Sequence, residues 1–192
     1  MKKILIGTHN SGKFKEISYL LSKKIIKISP IKLRIKSPKE TGKTFSENSK
    51  LKAKYFSKFT NLPVISDDSG LCVRALKKKP GVYSARWAKK HGGFSNAMKF
   101  LLKKMKMKKD RSATFVCSLS LKYPKAKIVT VVGKIKGSIS YKMYGNKGFG
   151  YDPIFIPNKK SITFGQMTKL KKINMDHRYI AFMKLKKKTK IL

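Results

Sequence analysis

Asp67 and Asp68 stand side by side in the stretch Leu62-Pro-Val-Ile-Ser-Asp-Asp-Ser-Gly-Leu-Cys-Val-Arg74. Adjacent carboxylates raise each other's pKa, and a divalent cation would remove that cost. With eight Asp and Glu in 192 residues, such a pair is a conspicuous use of a scarce residue type. The alternative reading is an Asp-Ser-Gly turn with solvated carboxylates. A second group, Thr8, His9, Asn10, Ser11, Gly12 and Lys13, follows an apolar run and precedes a helical pattern. Strand, glycine-containing turn and helix point backbone N–H groups and a helix N-terminus at a phosphate, and Lys13 adds a point charge. Gly7, Gly12 and Lys13 meet most of a P-loop pattern, but Phe14 stands where that motif needs a hydroxyl. A P-loop-like NTPase releasing orthophosphate is therefore a weaker alternative. A third group lies in Gly145-Asn-Lys-Gly-Phe-Gly-Tyr-Asp-Pro153, where glycines allow close approach to a ligand and Phe149 or Tyr151 can stack on a base. A plain hairpin loop is its bland counterpart. Lys172 precedes His177 and Arg178, which fall in the first turn of a last helix, where cations are unfavourable unless an anion is near.

These groups need elements to hold them. Lys2–Gly7 reads as a buried strand, and the helix after it runs from about Ser11 to Ser22 with Phe14, Ile17 and Leu21 on one face. Ile25–Ile28 and Ile31–Ile35 read as strands separated by Pro30. Thr44 and Glu47 form a capping box for a helix reaching about Phe59, with Leu51, Tyr55, Phe56 and Phe59 inward. Packing of strand on helix brings Glu47 and Asn48 near the acidic strand end. A helix from about Ser95 to Met107 turns Met98, Leu101, Leu102 and Met105 to one side. Ser112–Tyr123 alternates, with Ala113, Phe115, Cys117, Leu119 and Leu121 opposite Ser112, Thr114, Ser118, Ser120 and Lys122. Ala126–Ile139 is a second long strand, which predicts an antiparallel ribbon turning at Pro124. The last helix spans Asp176 to about Lys187.

The bulk properties narrow the class. A 41% hydrophobic chain of this length makes a globular domain, read as a single one over residues 1–192. No apolar run approaches the roughly 18 residues of a membrane span, the opening residues read as a strand and not a signal peptide, and the expectation is a cytoplasmic protein. Cys72 and Cys117 are isolated, so neither a disulfide framework nor a zinc site is indicated. The net charge is +40, from 48 basic residues of which five are Arg. Such a field draws anionic substrates and attaches nonspecifically to nucleic acid at low salt. Dedicated nucleic-acid readers gather Arg and aromatics in a stripe or motif, and the lysines here are spread along the whole chain.

Six blocks together resemble the inosine triphosphate pyrophosphatase family: Thr8–Lys13, Glu40–Asn48, Ser66–Leu71, Pro80–Arg86, Gly148–Pro153 and Asp176–Arg178. They keep that family's order and spacing along almost the whole chain. The resemblance implies a two-lobed α/β fold, a long mixed β-sheet flanked by helices, a substrate cleft between lobes and a homodimer. It implies hydrolysis of ITP, dITP or XTP to the monophosphate and pyrophosphate with Mg2+, which cleanses the nucleotide pool. Thr8 to Lys13 would then hold the triphosphate. Asp68 would ligate magnesium, with Glu40 beside it, and act on the attacking water, while Ser69 would touch the substrate. Phe149, Gly150, Tyr151 and Asp152 would form the base pocket, and Lys172, His177 and Arg178 would complete phosphate and purine contacts. Three positions depart from the family's pattern: Lys39 and Gln166 where glutamate is usual, and Asp176 where serine is usual. The rival of a different class is a catalytically impaired, basic nucleic-acid-binding protein that keeps the fold.

Overall fold

The computed structural model describes residues 2–189. Six strands form one sheet in the order β2-β1-β3-β4-β5-β6. They are β1 (Lys3–Ile6), β2 (Ile26–Ile28), β3 (Val64–Val73), β4 (Ser112–Lys122), β5 (Ile128–Ile139) and β6 (Phe155–Pro157). The helices are α1 (Ser11–Leu20), α2 (Phe45–Ser57), α3 (Ser84–Lys90), α4 (Phe94–Met105), α5 (Lys169–Ile173) and α6 (His177–Lys188). β1 runs parallel to both neighbours, with Lys3 opposite Ile26 and Leu5 opposite Val64. β5 and β6 are antiparallel, with Gly137 opposite Pro157. The sheet is thus mixed and the class is α/β, as expected. Among the described residues no helix is long and apolar enough to cross a membrane.

By internal contacts the chain divides into two compact units. The first comprises Met1–Asp68, Cys117–Gly133 and Arg178–Leu192. Its larger core gathers Ile4, Ile6, Ile17, Ile65, Leu119 and Leu185, and a smaller one holds Leu5, Ile35, Phe56 and Val64. The second comprises Ser69–Val116 and Lys134–His177, built on Leu71, Leu101, Met105, Phe115, Phe155 and Phe164. The amphipathic face expected for α4 is there: Met98, Leu101 and Met105 are buried together with Ala97.

Two local expectations need correction. Residues 31–35 do not form a strand. The N–H groups of Leu33 and Ile35 both donate to the Pro30 carbonyl, at 3.1 and 2.9 Å, and Arg34 takes a left-handed φ of 54°. The backbone donors are consumed locally, so the apolar alternation has no partner strand to serve. The inward face of α2 is the second. Asn48, Ser49, Lys52, Ala53 and Phe56 are its buried residues, while Phe59 is exposed, so the helix turns a largely polar stripe inward. Lys172, which precedes the last helix, lies on the separate short α5, capped by the Thr168 hydroxyl.

Candidate active site

The first unit holds a buried charge cluster at the point where β3 carries Ser66, Asp67 and Asp68, each 4% exposed or less. Successive strand residues point to opposite faces. The two neighbouring carboxylates therefore separate, and the repulsion inferred from their adjacency is relieved by the pleat. Asp67 meets Lys13 Nζ of α1 at 3.1 Å and Arg178 Nη2 of α6 at 3.3 Å. The other arm of Arg178 donates to Glu16. Asp68 accepts instead from Asn48 Nδ2 of α2 at 3.0 Å. One turn along that helix Lys52 pairs with Glu40 at 2.7 Å.

The electrostatics of the two carboxylates diverge accordingly. Burial would push the Asp67 carboxyl up, but Lys13, Arg178 and Lys52 outweigh it and hold the group below the ordinary carboxylate range. For Asp68 burial prevails. Its carboxyl is raised, with Glu40 adding to the effect and Lys13, Lys52 and the Asn48 amide offsetting only part of it. Burial also disfavours the Lys52 ammonium, yet Asp67, Asp68 and Glu40 reverse the balance and raise its pKa. Lys52 is thus a fixed cation, and Asp68 is the more basic carboxylate of the adjacent pair.

The turn before α1 is held by its own side chains. Thr8 Oγ1 accepts from the Asn10 N–H at 3.2 Å, and Asn10 Oδ1 accepts from the Lys13 N–H at 2.9 Å as the helix N-cap. His9 Nε2 lies 3.0 Å from the Ile35 carbonyl. Ser11 is exposed and Gly12 half-buried in the first turn. The turn can begin so close to β3 because Gly7 lacks a side chain. A Cβ there would collide with Ser66 Oγ and the Phe56 ring.

Within the second unit the loop residues surround a different pair. Lys172 Nζ meets Asp152 Oδ2 at 2.6 Å, and both side chains are buried. The same oxygen accepts from the Phe149 N–H at 2.8 Å. The ammonium sits 4.8 Å from the Phe149 ring centroid and 5.7 Å from that of Phe164, at cation–π range. Gly148 packs on the Asp152 carboxylate, and Gly150 has a φ of 67°. Tyr151 is a core residue. Its ring stands edge-on to Phe94, its hydroxyl donates to the Ser84 carbonyl at 3.2 Å, and burial raises its pKa. Phe149 is therefore the loop aromatic that stands beside the cation. His177 stacks on Phe115, with centroids 4.8 Å apart and planes 10° from parallel. Ser69 lies half-buried on β3. Gln166, the departure from glutamate, closes a local turn by accepting from the Thr163 N–H at 3.0 Å.

Thr8, Asn10, Lys13, Glu40, Asp68 and Arg178 thus belong to one unit, and Phe149, Asp152, Lys172 and His177 to the other. Lys52 and Glu16 are participants that motif reading passed over. The signal for Lys52 was present in the spacing of Asn48, Ser49 and Lys52, which fall on one helical face only if that face is allowed to be polar. Among the described residues no three or more of His, Cys, Asp and Glu gather as a metal cage. Asp68 and Glu40 remain as two carboxylates whose charges act on each other. Such a hard, oxygen-only pair suits magnesium, which takes one or two carboxylates and fills its shell with water and phosphate oxygens.

The profile of the Ham1 family matches residues 4–188. The chain belongs to the Ham1 family. A curated relative, the dITP/XTP pyrophosphatase of Caulobacter vibrioides, is 40% identical over 186 residues, covering 96% of each chain. Among solved structures, the Ham1 protein of Staphylococcus aureus superposes with a TM-score of 0.85 at 35% identity, covering 98% of this chain and all of that one (100%). A Ham1 protein from Coxiella burnetii gives 0.87 at 33% identity, with 97% and 98% covered. Ham1 membership is what the six sequence motifs pointed to, and it spans both units.

Proposed function

We propose that this Ham1-family chain hydrolyses non-standard purine nucleoside triphosphates, dITP, XTP and ITP, to the monophosphate and pyrophosphate. The observation that carries this reading is the charge cluster of the first unit. Four of the chain's eight acidic residues, Glu16, Glu40, Asp67 and Asp68, collect there with the cations Lys13, Lys52 and Arg178. A protein of net charge +40 has no need to concentrate its carboxylates merely to remain soluble. Phosphoanhydride hydrolysis does need them, because a water must be activated within a field that also neutralises phosphate charge.

In this reading Thr8 to Lys13 hold the triphosphate by backbone N–H groups, the α1 N-terminus and the Lys13 ammonium. Asp67 keeps Lys13 over the turn. Asp68, the carboxylate with raised proton affinity, accepts the proton of the attacking water. Magnesium would be held by Asp68 and Glu40 together with phosphate oxygens, and it supplies neutralisation of charge on the anhydride. Lys52 offsets part of the repulsion between the two metal-facing carboxylates. Phe149 offers a flat face for the purine, and Lys172 a fixed cation beside it. Ser69, Gly150, His177 and the Asp152-supported loop are further substrate contacts in this reading. Donors that meet a 6-keto oxygen would be left unpaired by adenine's 6-amino group, at about 1–3 kcal/mol per buried group. The active species is a magnesium-dependent cytoplasmic homodimer.

A nucleotide panel assayed with magnesium and product identification tests the reading. Pyrophosphate should appear from dITP, XTP or ITP much faster than from ATP. Orthophosphate release would favour the P-loop alternative. Nucleic-acid affinity that persists at physiological salt, with no pyrophosphate release, would favour the impaired nucleic-acid binder.

A further inference from the structure

α2 docks on the sheet through hydroxyl groups at the place where most helices use apolar side chains. Ser49 Oγ donates to the Ser46 carbonyl at 3.1 Å, which uses its one proton. It lies 2.9 Å from Ser118 Oγ and 2.8 Å from Ser120 Oγ. A serine oxygen has one donor and two acceptor sites, so Ser49 is left to accept from the β4 serines, and Ser118 Oγ also lies within reach of Ser46 Oγ at 3.3 Å and the Val131 carbonyl at 3.4 Å. Ser120 in turn lies 2.8 Å from Thr130 Oγ1 of β5. Ser49, Ser118 and Ser120 are fully buried. All these residues belong to the first unit.

The helix residues flanking this hub are the ones that reach the carboxylates. Asn48, next to Ser49, donates to Asp68 at 3.0 Å and accepts from the Gly42 N–H at 2.8 Å. Lys52, three residues on, pairs with Glu40 at 2.7 Å. An apolar interface lets a helix slide and roll among packings of similar energy, whereas a buried set of converging hydroxyl contacts admits few positions. We propose that Ser49, with Ser118 and Ser120, is a positioning device that sets the depth and roll of α2 and so places Asn48 against Asp68 for the reaction. The inference rests on the activity proposed above only for its kinetic consequence.

The test has an arm that needs no activity. In uniformly 15N-labelled full-length protein, the Asn48 side-chain amide is assigned by its disappearance in Asn48→Ala. In Ser49→Ala, and more weakly in Ser120→Ala, that resonance should move towards the position of a solvated amide and exchange faster with water. Ser120→Ala keeps the Ser49–Ser118 link, so it serves if Ser49→Ala folds poorly. The kinetic arm expects Ser49→Ala to lower kcat about fivefold to tenfold, one lost hydrogen bond's worth, with KM within about twofold. In the Asn48→Ala background, Ser49→Ala should add little, because both substitutions loosen one contact. An Asn48 resonance unmoved in both serine variants overturns the proposal, as does a Ser49→Ala loss that multiplies in full with that of Asn48→Ala. A wild-type protein that releases no pyrophosphate defeats the functional reading, and the resonance arm still decides this one.

Discussion

The two units keep their buried charges in contrasting ways. In the first, Asp67 shares two cations, Arg178 shares two carboxylates, and Lys52 feels three carboxylate charges. In the second, Lys172 and Asp152 pair closely beside the rings of Phe149 and Phe164. A network spreads each charge over several partners, so removing one member is partly absorbed by the rest. A pair set against the rings is part of the aromatic packing itself, Phe164 being a core residue. The comparison implies that single substitutions in the first unit strike the chemistry before the fold, and that breaking the pair in the second strikes the fold as well.

The largest expected effect is that of Asp68→Asn. It should lower pyrophosphate release by at least about a hundredfold, the scale of losing a general base, with the circular dichroism spectrum near wild type. Collapse of the spectrum would make Asp68 structural and break the comparison. Next comes Lys172→Met, which leaves a buried carboxylate without its cation partner and should cost about 3–5 kcal/mol in urea unfolding. The double variant Lys172→Met, Asp152→Asn should recover much of that loss; if it does not, the pair is no self-contained unit. The smallest effect sharpens the contrast through pH. The folded Asp67 carboxyl titrates below its ordinary 3.8, so as the pH falls the unfolded chain takes up that proton first. Its stabilising contribution is therefore complete well above 3.8 and is lost as the pH falls through that value towards the folded one. Comparing urea midpoints at about pH 7 and about pH 3 should show a shallower decline for Asp67→Asn than for wild type.

Much of this was legible in the residues alone. The first strand, the Asn10–Lys13 turn and the Thr44–Glu47 box are local devices, and local chemistry is what a sequence displays. The box forms as read, with Thr44 Oγ1 accepting from the Glu47 N–H at 3.1 Å. The inward face of α2 was misread because hydropathy assumes that a buried stripe is apolar. Its real partners are Ser118 and Ser120, 69 and 71 residues away from Ser49, and a contact of that separation has no local signature. The same holds for the adjacency of Asp67 and Asp68, which looks like repulsion until the pleat sends each to its own partners. Residues 31–35 failed as a strand for the opposite reason, since a local turn at Pro30 overrode an alternating pattern.

Arg178 lies 111 residues beyond Asp67 and 162 beyond Glu16, and it binds both. A chain made from its N-terminus therefore carries these two carboxylates without their shared arginine through most of its synthesis. Until α6 leaves the ribosome, the Lys13–Asp67 pair lacks the arginine that joins it to Glu16. The nascent protein should thus have an incomplete charge cluster while most of it is already exposed to the cell.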